Sequence, residues 1–348
     1  MTLQKLLGIE LPIIQAPMAG VQGSAMAVAV CNAGGLGSLP GAMLSAVTLG
    51  KELVAIKAQT SRPFNVNFFC HIPPESNTAS RQREVTWRAA LAPYYQEFGI
   101  DATTIPVGSG RAPFTAEHAD VLEPFKPAVV SFHFGLPSPE LLARVRSWGS
   151  KIISSATTVD EALWLQAQGV NAIIAQGLEA GGHRGIFLSS DLTTQVGTMA
   201  LLPQVVRAVT VPVIAAGGIA DAKGVAAAMA LGAAGVQIGT AYLLCPEATT
   251  SPAHRAALKG DAARHTALTN LFTGRPARGI VNRVMKEMGA INAVAPDFPL
   301  ATAAMAPLRA KAESQGSGDF SPLWSGQNAS GCREIGAGLL TQALVAGR

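Results

Sequence analysis

Residues 172–185 read Ala-Ile-Ile-Ala-Gln-Gly-Leu-Glu-Ala-Gly-Gly-His-Arg-Gly, a short apolar run that leads into a glycine-rich segment with one histidine, His183. The apolar run predicts a buried strand. The glycines at 177, 181 and 182 let the main chain approach a flat or phosphorylated ligand, because they carry no Cβ. The stretch therefore predicts a strand that delivers His183 to a ligand site at its C-terminal end. A tight loop with an incidental histidine is the alternative interpretation.

Other short apolar runs share this character. They are mostly β-branched and do not alternate polar with apolar residues, which indicates strands covered on both faces, as in a parallel sheet. The eight runs are 12–15, 35–38, 64–69, 128–132, 151–154, 171–174, 212–215 and 235–238. Helix-patterned segments lie between them, among them 22–33, 44–59, 159–168 and 222–231. This alternation predicts an α/β fold of the TIM (β/α)8 barrel class.

The rhythm of strands and helices is interrupted twice. Residues 71–126 predict an insertion after strand 3 that lies over the top of the barrel, and residues 246–348 predict a C-terminal helical extension. The extension is expected to contain the closing helix, near 331–346, and to complete the active site. The predicted organisation is therefore a TIM barrel over 1–245 that binds the ligand, with the extension over 246–348.

The composition argues against several classes of function. The net charge is +4, but the 26 Lys and Arg residues are scattered and aromatic residues are few, so no nucleic-acid partner is predicted. The uncharged stretch 224–245 is long enough for a bilayer, but its Ala and Gly residues favour a packed helix and a buried strand, so no membrane partner is predicted.

Cysteines and histidines give no metal pattern. The four cysteines contain no CxxC pair, which fits a cytoplasmic protein. The six histidines show no ligand spacing, so the predicted metal content is none. His118, His254 and His265 are expected at the surface, in polar helix-like stretches.

The ends of the seventh and eighth predicted strands carry glycine-rich loops, Ala216-Gly-Gly-Ile219 and Gln237-Ile-Gly-Thr-Ala241. These are the positions at which TIM barrels commonly hold phosphate through backbone N–H groups. Asn67, Gln176 and His133 place polar side chains at the ends of other strands. The combination indicates a phosphorylated flat cofactor such as FMN.

These motifs resemble the nitronate monooxygenase family, formerly called 2-nitropropane dioxygenases. The resemblance rests on Gln15-Ala-Pro-Met18, Ser131-Phe-His-Phe-Gly135, the 175–185 motif, both glycine loops and Leu323-Trp-Ser-Gly-Gln327, and it covers nearly the whole chain. It implies an oxidoreductase in which FMN carries electrons from an alkyl nitronate to O2, with release of a carbonyl compound and nitrite. The implied partners are a small nitronate and O2; a homodimer is left open.

The resemblance also implies roles for individual residues. His183 is the candidate catalytic residue, and Arg184 either adds positive charge beside it or points to solvent. The candidate cofactor-binding residues are Ala16, Met18, Asn67, Gln176, Gly181, Gly182, Gly217, Gly218, Gln237, Ile238, Gly239 and Thr240. The candidate substrate pocket consists of His133, Phe298, Trp324, Ser325 and Gln327.

One departure and several alternatives accompany this interpretation. Related enzymes line the substrate side with tyrosines, yet no tyrosine follows Tyr242 here, and Phe298, Met305 and Trp324 would make the lining apolar. NAD(P)H-dependent flavin reductases of the enoyl-acyl-carrier-protein or quinone type share the barrel. IMP-dehydrogenase-like enzymes would need a cysteine in a glycine-rich loop, which is absent. A flavin-binding carrier is the non-enzymatic alternative.

Overall fold

Eight parallel strands close into a barrel. The computed structural model describes residues 2–106 and 111–346. Neighbouring strands follow the order β1-β9-β8-β6-β5-β4-β3-β2, and the Gln15 N–H donates to the Leu36 carbonyl over 3.0 Å, which joins β1 to the start of β2. The TIM barrel predicted from the sequence is confirmed. The strands are β1 Ile13–Gln15, β2 Gly37–Pro40, β3 Phe64–Phe69, β4 Val129–His133, β5 Lys151–Ala156, β6 Ala172–Gln176, β7 Gly182–His183, β8 Val213–Ala216, β9 Gly235–Ile238, β10 Thr266–Thr269 and β11 Ala277–Ile280.

Helices surround the barrel. Their bounds are α1 Leu3–Leu7, α2 Ser24–Asn32, α3 Ala46–Gln59, α4 Thr78–Phe98, α5 Ala116–Leu122, α6 Pro139–Ser147, α7 Val159–Ala167, α8 Thr198–Ala208, α9 Ala222–Ala230, α10 Pro252–Lys259, α11 Arg283–Met288, α12 Ala301–Ser314 and α13 Ala337–Ala343. Within the described ranges, none of them is long and apolar enough to cross a bilayer. The stretch 224–245 forms parts of α9 and β9, as predicted.

Alternate residues of each strand pack on opposite sides of the barrel wall. Ile14, Ile153 and Ile214 belong to an apolar cluster inside the barrel, which α1 joins through Leu3, Leu6 and Leu7. Their neighbours along the strands, Ile13, Ile152 and Ala215, belong to the larger cluster beneath the outer helices. Because apolar side chains fill the interior, the open space for a ligand lies at the C-terminal ends of the strands.

The predicted insertion is too long at its C-terminal boundary. Helix α5 is buried in the main core through Ala119 and Leu122, so it is the barrel helix between β3 and β4. Helix α4 instead packs in a second core with α12, and the Tyr95 hydroxyl donates to the Ala304 carbonyl over 2.8 Å. The part of the insertion that stands off the barrel therefore ends before α5.

The extension is not entirely helical, which corrects the prediction for 246–348. Strands β10 and β11 form an antiparallel pair, and β11 also pairs with β7. Their sequences, Thr-Ala-Leu-Thr and Ala-Arg-Gly-Ile, lack the β-branched runs of the barrel strands, so pairing across the fold decides their structure. Helix α13 returns to the barrel beside α2, and the Tyr242 hydroxyl lies 2.8 Å from Thr341 Oγ1. The division of the chain at residue 245 stays a prediction.

Two Gly→Ala substitutions should change stability in opposite directions. A Cβ at Gly37 would lie 2.1 Å from the Ala27 carbonyl oxygen, so Gly37→Ala must push α2 away from β2. We expect it to lower the free energy of unfolding by about 2 kcal/mol or more. Gly50 lies within α3 with no atom closer than 4.0 Å to the added methyl group, so Gly50→Ala should gain about 0.5–1 kcal/mol. Thermal unfolding tests both changes, and equal midpoints for the two variants would contradict this packing.

Candidate active site

One cavity opens at the C-terminal ends of the barrel strands. It encloses about 1360 Å³, counting the space at its open mouth. Its wall is built from the ends of β1, β3, β4, β6, β8 and β9, from the 180–183 loop and from the extension. The cavity therefore brings together fifteen residues singled out in the sequence: Ala16, Met18, Asn67, His133, Gln176, Gly181, Gly182, His183, Gly217, Gly218, Gln237, Ile238, Gly239, Thr240 and Trp324.

The backbone of His183 is held from three directions. Residues 182–183 form β7, in which His183 is opposite Ala277 of β11. The His183 carbonyl accepts hydrogen bonds from Gln176 Nε2 at 3.0 Å and from His133 Nε2 at 3.2 Å. The Gln176 Oε1 accepts from the Gly185 N–H at 2.7 Å. Gln176 thus lines the cavity as expected, but its amide group holds the histidine loop instead of facing a cofactor.

The ring of His133 serves the same backbone. A carbonyl oxygen can only accept, so His133 Nε2 carries the proton of the bond to His183. His133 Nδ1 is then an acceptor, and the Ser155 hydroxyl donates to it over 2.6 Å. Burial lowers the pKa of His133 to about 3, so its ring is neutral. His133 reaches the cavity wall, as predicted for the substrate pocket, but both of its nitrogens are already bonded.

The ring of His183 has one engaged nitrogen and one available nitrogen. Nε2 lies 3.0 Å from Thr273 Oγ1. Nδ1 makes no hydrogen bond with the described residues, and His183 lines the cavity. Trp324 and Phe298 pack against the ring at centroid distances of 5.5 and 5.4 Å. Nδ1 is therefore the ring nitrogen that is free to bond to a ligand.

The charges around this ring are positive. Burial is the main reason that the pKa of His183 lies well below its ordinary 6.5, and the nearby Arg111, His133, Arg275 and His71 lower it further. His183 is therefore a neutral imidazole at neutral pH. Among the described residues, no carboxylate lines the cavity.

Arg111 is the most available of these cationic groups. Its side chain lines the cavity, and its Nε and Nη1 atoms are buried without a hydrogen-bond partner among the described residues. Arg275, by contrast, donates to the Ile186 carbonyl and lies over the Phe134 ring at 4.0 Å. A buried guanidinium without an acceptor is costly, so Arg111 favours an anionic ligand in the cavity.

The two glycine loops form a cradle of free backbone amides. The N–H groups of Gly218, Ile219, Gly239 and Thr240 donate to no other group that the structure describes. Gly217 and Gly218 have φ values of 117° and 73°, which glycine adopts readily, and both amide-bearing segments line the cavity. Such converging amides are suited to a phosphate group.

One further observation fits a flat cofactor above this cradle: Gln237 Oε1 is buried in the cavity wall without a donor among the described residues. Gly181 is required by the extension, since a Cβ there would lie 2.5 Å from the Gly326 amide nitrogen. The residues present therefore suit a phosphorylated, ring-bearing cofactor such as FMN.

Arg184 does not face solvent and does not line the cavity, although its charge helps to lower the pKa of His133. Its side chain is fully buried and donates to three oxygens: Gln195 Oε1 at 3.0 Å, the Gly177 carbonyl at 2.7 Å and the Gln176 carbonyl at 2.8 Å. Backbone and amide oxygens thus satisfy the guanidinium, which fixes the loop that carries His183.

Only some of the pocket residues predicted in the extension line the cavity. The 324–328 segment places Trp324, Gly326 and Asn328 in the cavity wall, whereas Ser325 and Gln327 do not line it. Successive side chains of an extended chain point to opposite sides, which accounts for the alternation and corrects the placement of Ser325 and Gln327.

Phe298 and Met305, two of the apolar residues predicted to line the pocket, do not reach the cavity wall. Phe298 is buried beside His183, edge-on to its ring, but does not line the cavity. Met305 belongs to the second core, away from the cavity. The apolar surface around His183 is therefore supplied by Trp324 and Phe69 at the wall, with Phe298 behind them.

The sequence did not reveal several cavity residues. Arg111 comes from the insertion, where no motif marks it. His254 is buried, lines the cavity and lies 3.1 Å from the Trp324 carbonyl, so its expected surface position was wrong. Because His254 lies on an amphipathic helix, the sequence pattern is compatible with a buried or an exposed position. His265 is exposed, as expected, and His118 is partly buried beside Phe114.

Comparison with known proteins agrees with this geometry. The nitronate monooxygenase family model matches residues 1–347. Relatives named nitronate monooxygenase include one from Pseudomonas aeruginosa PAO1, 42% identical over 98% of this chain and 97% of the relative, and one from Paraburkholderia phytofirmans, 42% identical over 97% and 92%.

Solved structures with the same fold extend the comparison. A nitroalkane oxidase from Streptomyces ansochromogenes superimposes with a TM-score of 0.88 at 37% identity, covering 99% of this chain and 96% of the other. FabK from Thermotoga maritima superimposes with a TM-score of 0.72 at 26% identity, covering 99% and 95%. The family match and the identities over the full chain lead to one conclusion: this chain is a member of the nitronate monooxygenase family.

Proposed function

We propose that this chain is an FMN-dependent enzyme that oxidises alkyl nitronates with O2 to carbonyl compounds and nitrite. The observation that carries the proposal is the pairing, in one cavity, of the neutral imidazole of His183 with the Arg111 guanidinium, neither His183 Nδ1 nor Arg111 Nε and Nη1 having a hydrogen-bond partner among the described residues. Membership of the nitronate monooxygenase family supports the reaction, and the family is flavin-dependent in general.

FMN is the cofactor that the cavity residues suit. The free amides of Gly218, Ile219, Gly239 and Thr240 would hold its phosphate, and Gln237 Oε1 would accept a hydrogen bond from its ring. Asn67 Nδ2 already donates to the Ser131 carbonyl at 3.2 Å and to its hydroxyl at 2.9 Å, so Asn67 would offer only its amide oxygen. When bound, flavin supplies the electron transfer between the organic substrate and O2. The protein contributes position, charge and a base.

Arg111 and His183 divide the work on the substrate. A nitronate is an anion, so the Arg111 guanidinium would stabilise its nitro oxygens in a cavity that has no described carboxylate. A neutral nitroalkane must first lose a proton from its α-carbon. His183 lines the cavity, and its Nδ1 makes no hydrogen bond with the described residues, so Nδ1 is the nitrogen that would accept this proton. His183 therefore acts as the base for neutral nitroalkanes, whereas nitronates need only the positive charge.

The proposal includes the partners and the cellular location of the protein. Nitronate and O2 are the small-molecule partners. The four cysteines are unpaired, which supports the reducing cytoplasm expected from their spacing. The pyridine-nucleotide-dependent flavin reductase, the alternative weighed from the sequence, is distinguished by the experiments below.

Binding of FMN tests the cradle directly. The purified protein should be yellow, with a flavin absorption spectrum. Gly218→Ala and Gly149→Ala place the same methyl group at φ values of 73° and 84°, but only Gly218 lines the cavity. We expect comparable thermal destabilisation in both variants, because the backbone strain is similar. Only Gly218→Ala should bind FMN more weakly, by about tenfold, in a fluorescence titration of deflavinated protein.

Two results would contradict the proposed reaction. One is a colourless protein that does not take up FMN. The other is rapid anaerobic bleaching of the bound flavin by NADPH, with none by a nitronate, which would favour the flavin-reductase alternative.

Substitution of His183 should separate the two substrate types. His183→Asn removes the base, so the rate of O2 uptake with a neutral nitroalkane should fall by about 100-fold or more. The rate with preformed nitronate should fall far less, because that substrate has already lost its proton. His265→Asn, at an exposed position, is the matched control and should leave both rates unchanged. Equal losses with both substrates would exclude a base role for His183.

A further inference from the structure

We propose that Thr273 is the positioning residue that sets the tautomer of His183 and so directs its basic nitrogen into the cavity. This inference rests on the proposed function, since it assigns the partner of the base named there. Thr273 contacts neither the cavity nor a cofactor position and acts only through His183.

Hydrogen bonds around the Thr273 hydroxyl give one consistent direction. Its oxygen lies 3.0 Å from His183 Nε2 and 3.4 Å from the Arg275 carbonyl oxygen. The Arg275 carbonyl can only accept, and the Arg275 N–H, 3.5 Å from the hydroxyl oxygen, can only donate. All three contacts of the hydroxyl are satisfied together when its proton is directed to the Arg275 carbonyl. The lone pair of the hydroxyl then accepts a proton from His183 Nε2. This arrangement leaves Nδ1 unprotonated.

The charges around the ring favour the same tautomer. The charged groups near His183 are Arg111 from the insertion and Arg275 from the extension, and no carboxylate lines the cavity among the described residues. His133 and His71 are neutral at neutral pH, because burial lowers their pKa values to about 3 and about 4. A lone pair on Nδ1 is attracted to the two guanidinium groups, whereas an N–H group there would be repelled. The reverse tautomer would also turn the Thr273 proton away from the Arg275 carbonyl.

The loop that carries Thr273 is held in place by close backbone packing. Thr273 is only 2% exposed, and its neighbour Gly274 has a φ of 88° with the Pro296 carbonyl oxygen 2.1 Å from where a Cβ would lie. The Gly274 N–H donates to the Asn270 carbonyl at 2.8 Å. The hydroxyl is therefore fixed relative to β11, which also pairs with the backbone of His183. The extension thus holds both the main chain and the ring of this histidine.

Substitution of Thr273 should lower turnover of neutral nitroalkanes but not of nitronates, as His183→Asn does, although His183 itself is retained. Thr273→Val keeps the shape but leaves Nε2–H without an acceptor, so the Nδ1-protonated tautomer becomes competitive. We expect kcat/KM with a neutral nitroalkane to fall by about tenfold to a hundredfold. Turnover of preformed nitronate and FMN content should remain near wild type. Thr273→Ser retains the hydroxyl and should rescue nitroalkane turnover to within about threefold of wild type.

The outcomes distinguish this inference from the proposed function. Nitronate turnover by each variant serves as the internal check on folding, and Thr273→Ala replaces the valine variant if that protein does not fold. If His183→Asn is selective for nitroalkane and Thr273→Val is not, the role of Thr273 is overturned and the base role stands. Equal loss of both activities in Thr273→Val, with no rescue by serine, would assign Thr273 a purely structural role. If His183→Asn itself leaves nitroalkane turnover unchanged, the proposed base and its positioning residue both fail.

Discussion

The carbonyl oxygen of His183 is the point on which the candidate site depends. Gln176 from β6 and His133 from β4 both donate to it, and β11 pairs with the same residue. Each donor is fixed in turn, His133 by Ser155 and Gln176 by the Gly185 amide. A glycine-rich loop, which would otherwise have many conformations, is thereby held in one. The position of the ring follows from the position of its own carbonyl.

This arrangement joins the barrel to the extension. The barrel strands supply the polar groups beneath the loop, and the extension supplies β11, Thr273 and Trp324 beside it. The buried Arg184 side chain also stabilises this loop, because it donates to the carbonyl oxygens of Gln176 and Gly177. The candidate site is therefore shared between two parts of the chain that are distant in sequence. The His183 imidazole stays neutral beside the Arg111 guanidinium because burial and positive charge both oppose its protonation.

Much of the fold could be predicted because its signals are local. The apolar runs correspond to the barrel strands within one or two residues, and the two glycine loops lie at the ends of β8 and β9, where a phosphate site was expected. Features that depend on contacts across the fold could not be predicted. The strand character of 277–280 comes from pairing with residues 182–183, and the burial of Arg184 comes from three oxygens that the sequence does not bring together. The cavity position of Arg111 likewise depends on how the insertion folds back over the barrel.

The central claim is that His183 is a neutral imidazole with its proton on Nε2 and Nδ1 open to the cavity. Nitrogen-15 NMR of histidine-labelled protein measures both properties, with His183→Asn used to assign the signal. The account predicts an unprotonated Nδ1 at neutral pH and no protonation of the ring as the pH is lowered through 6.5, because the neutral form persists above a lowered pKa. A ring that titrates near 6.5, or that carries its proton on Nδ1 at neutral pH, would contradict it.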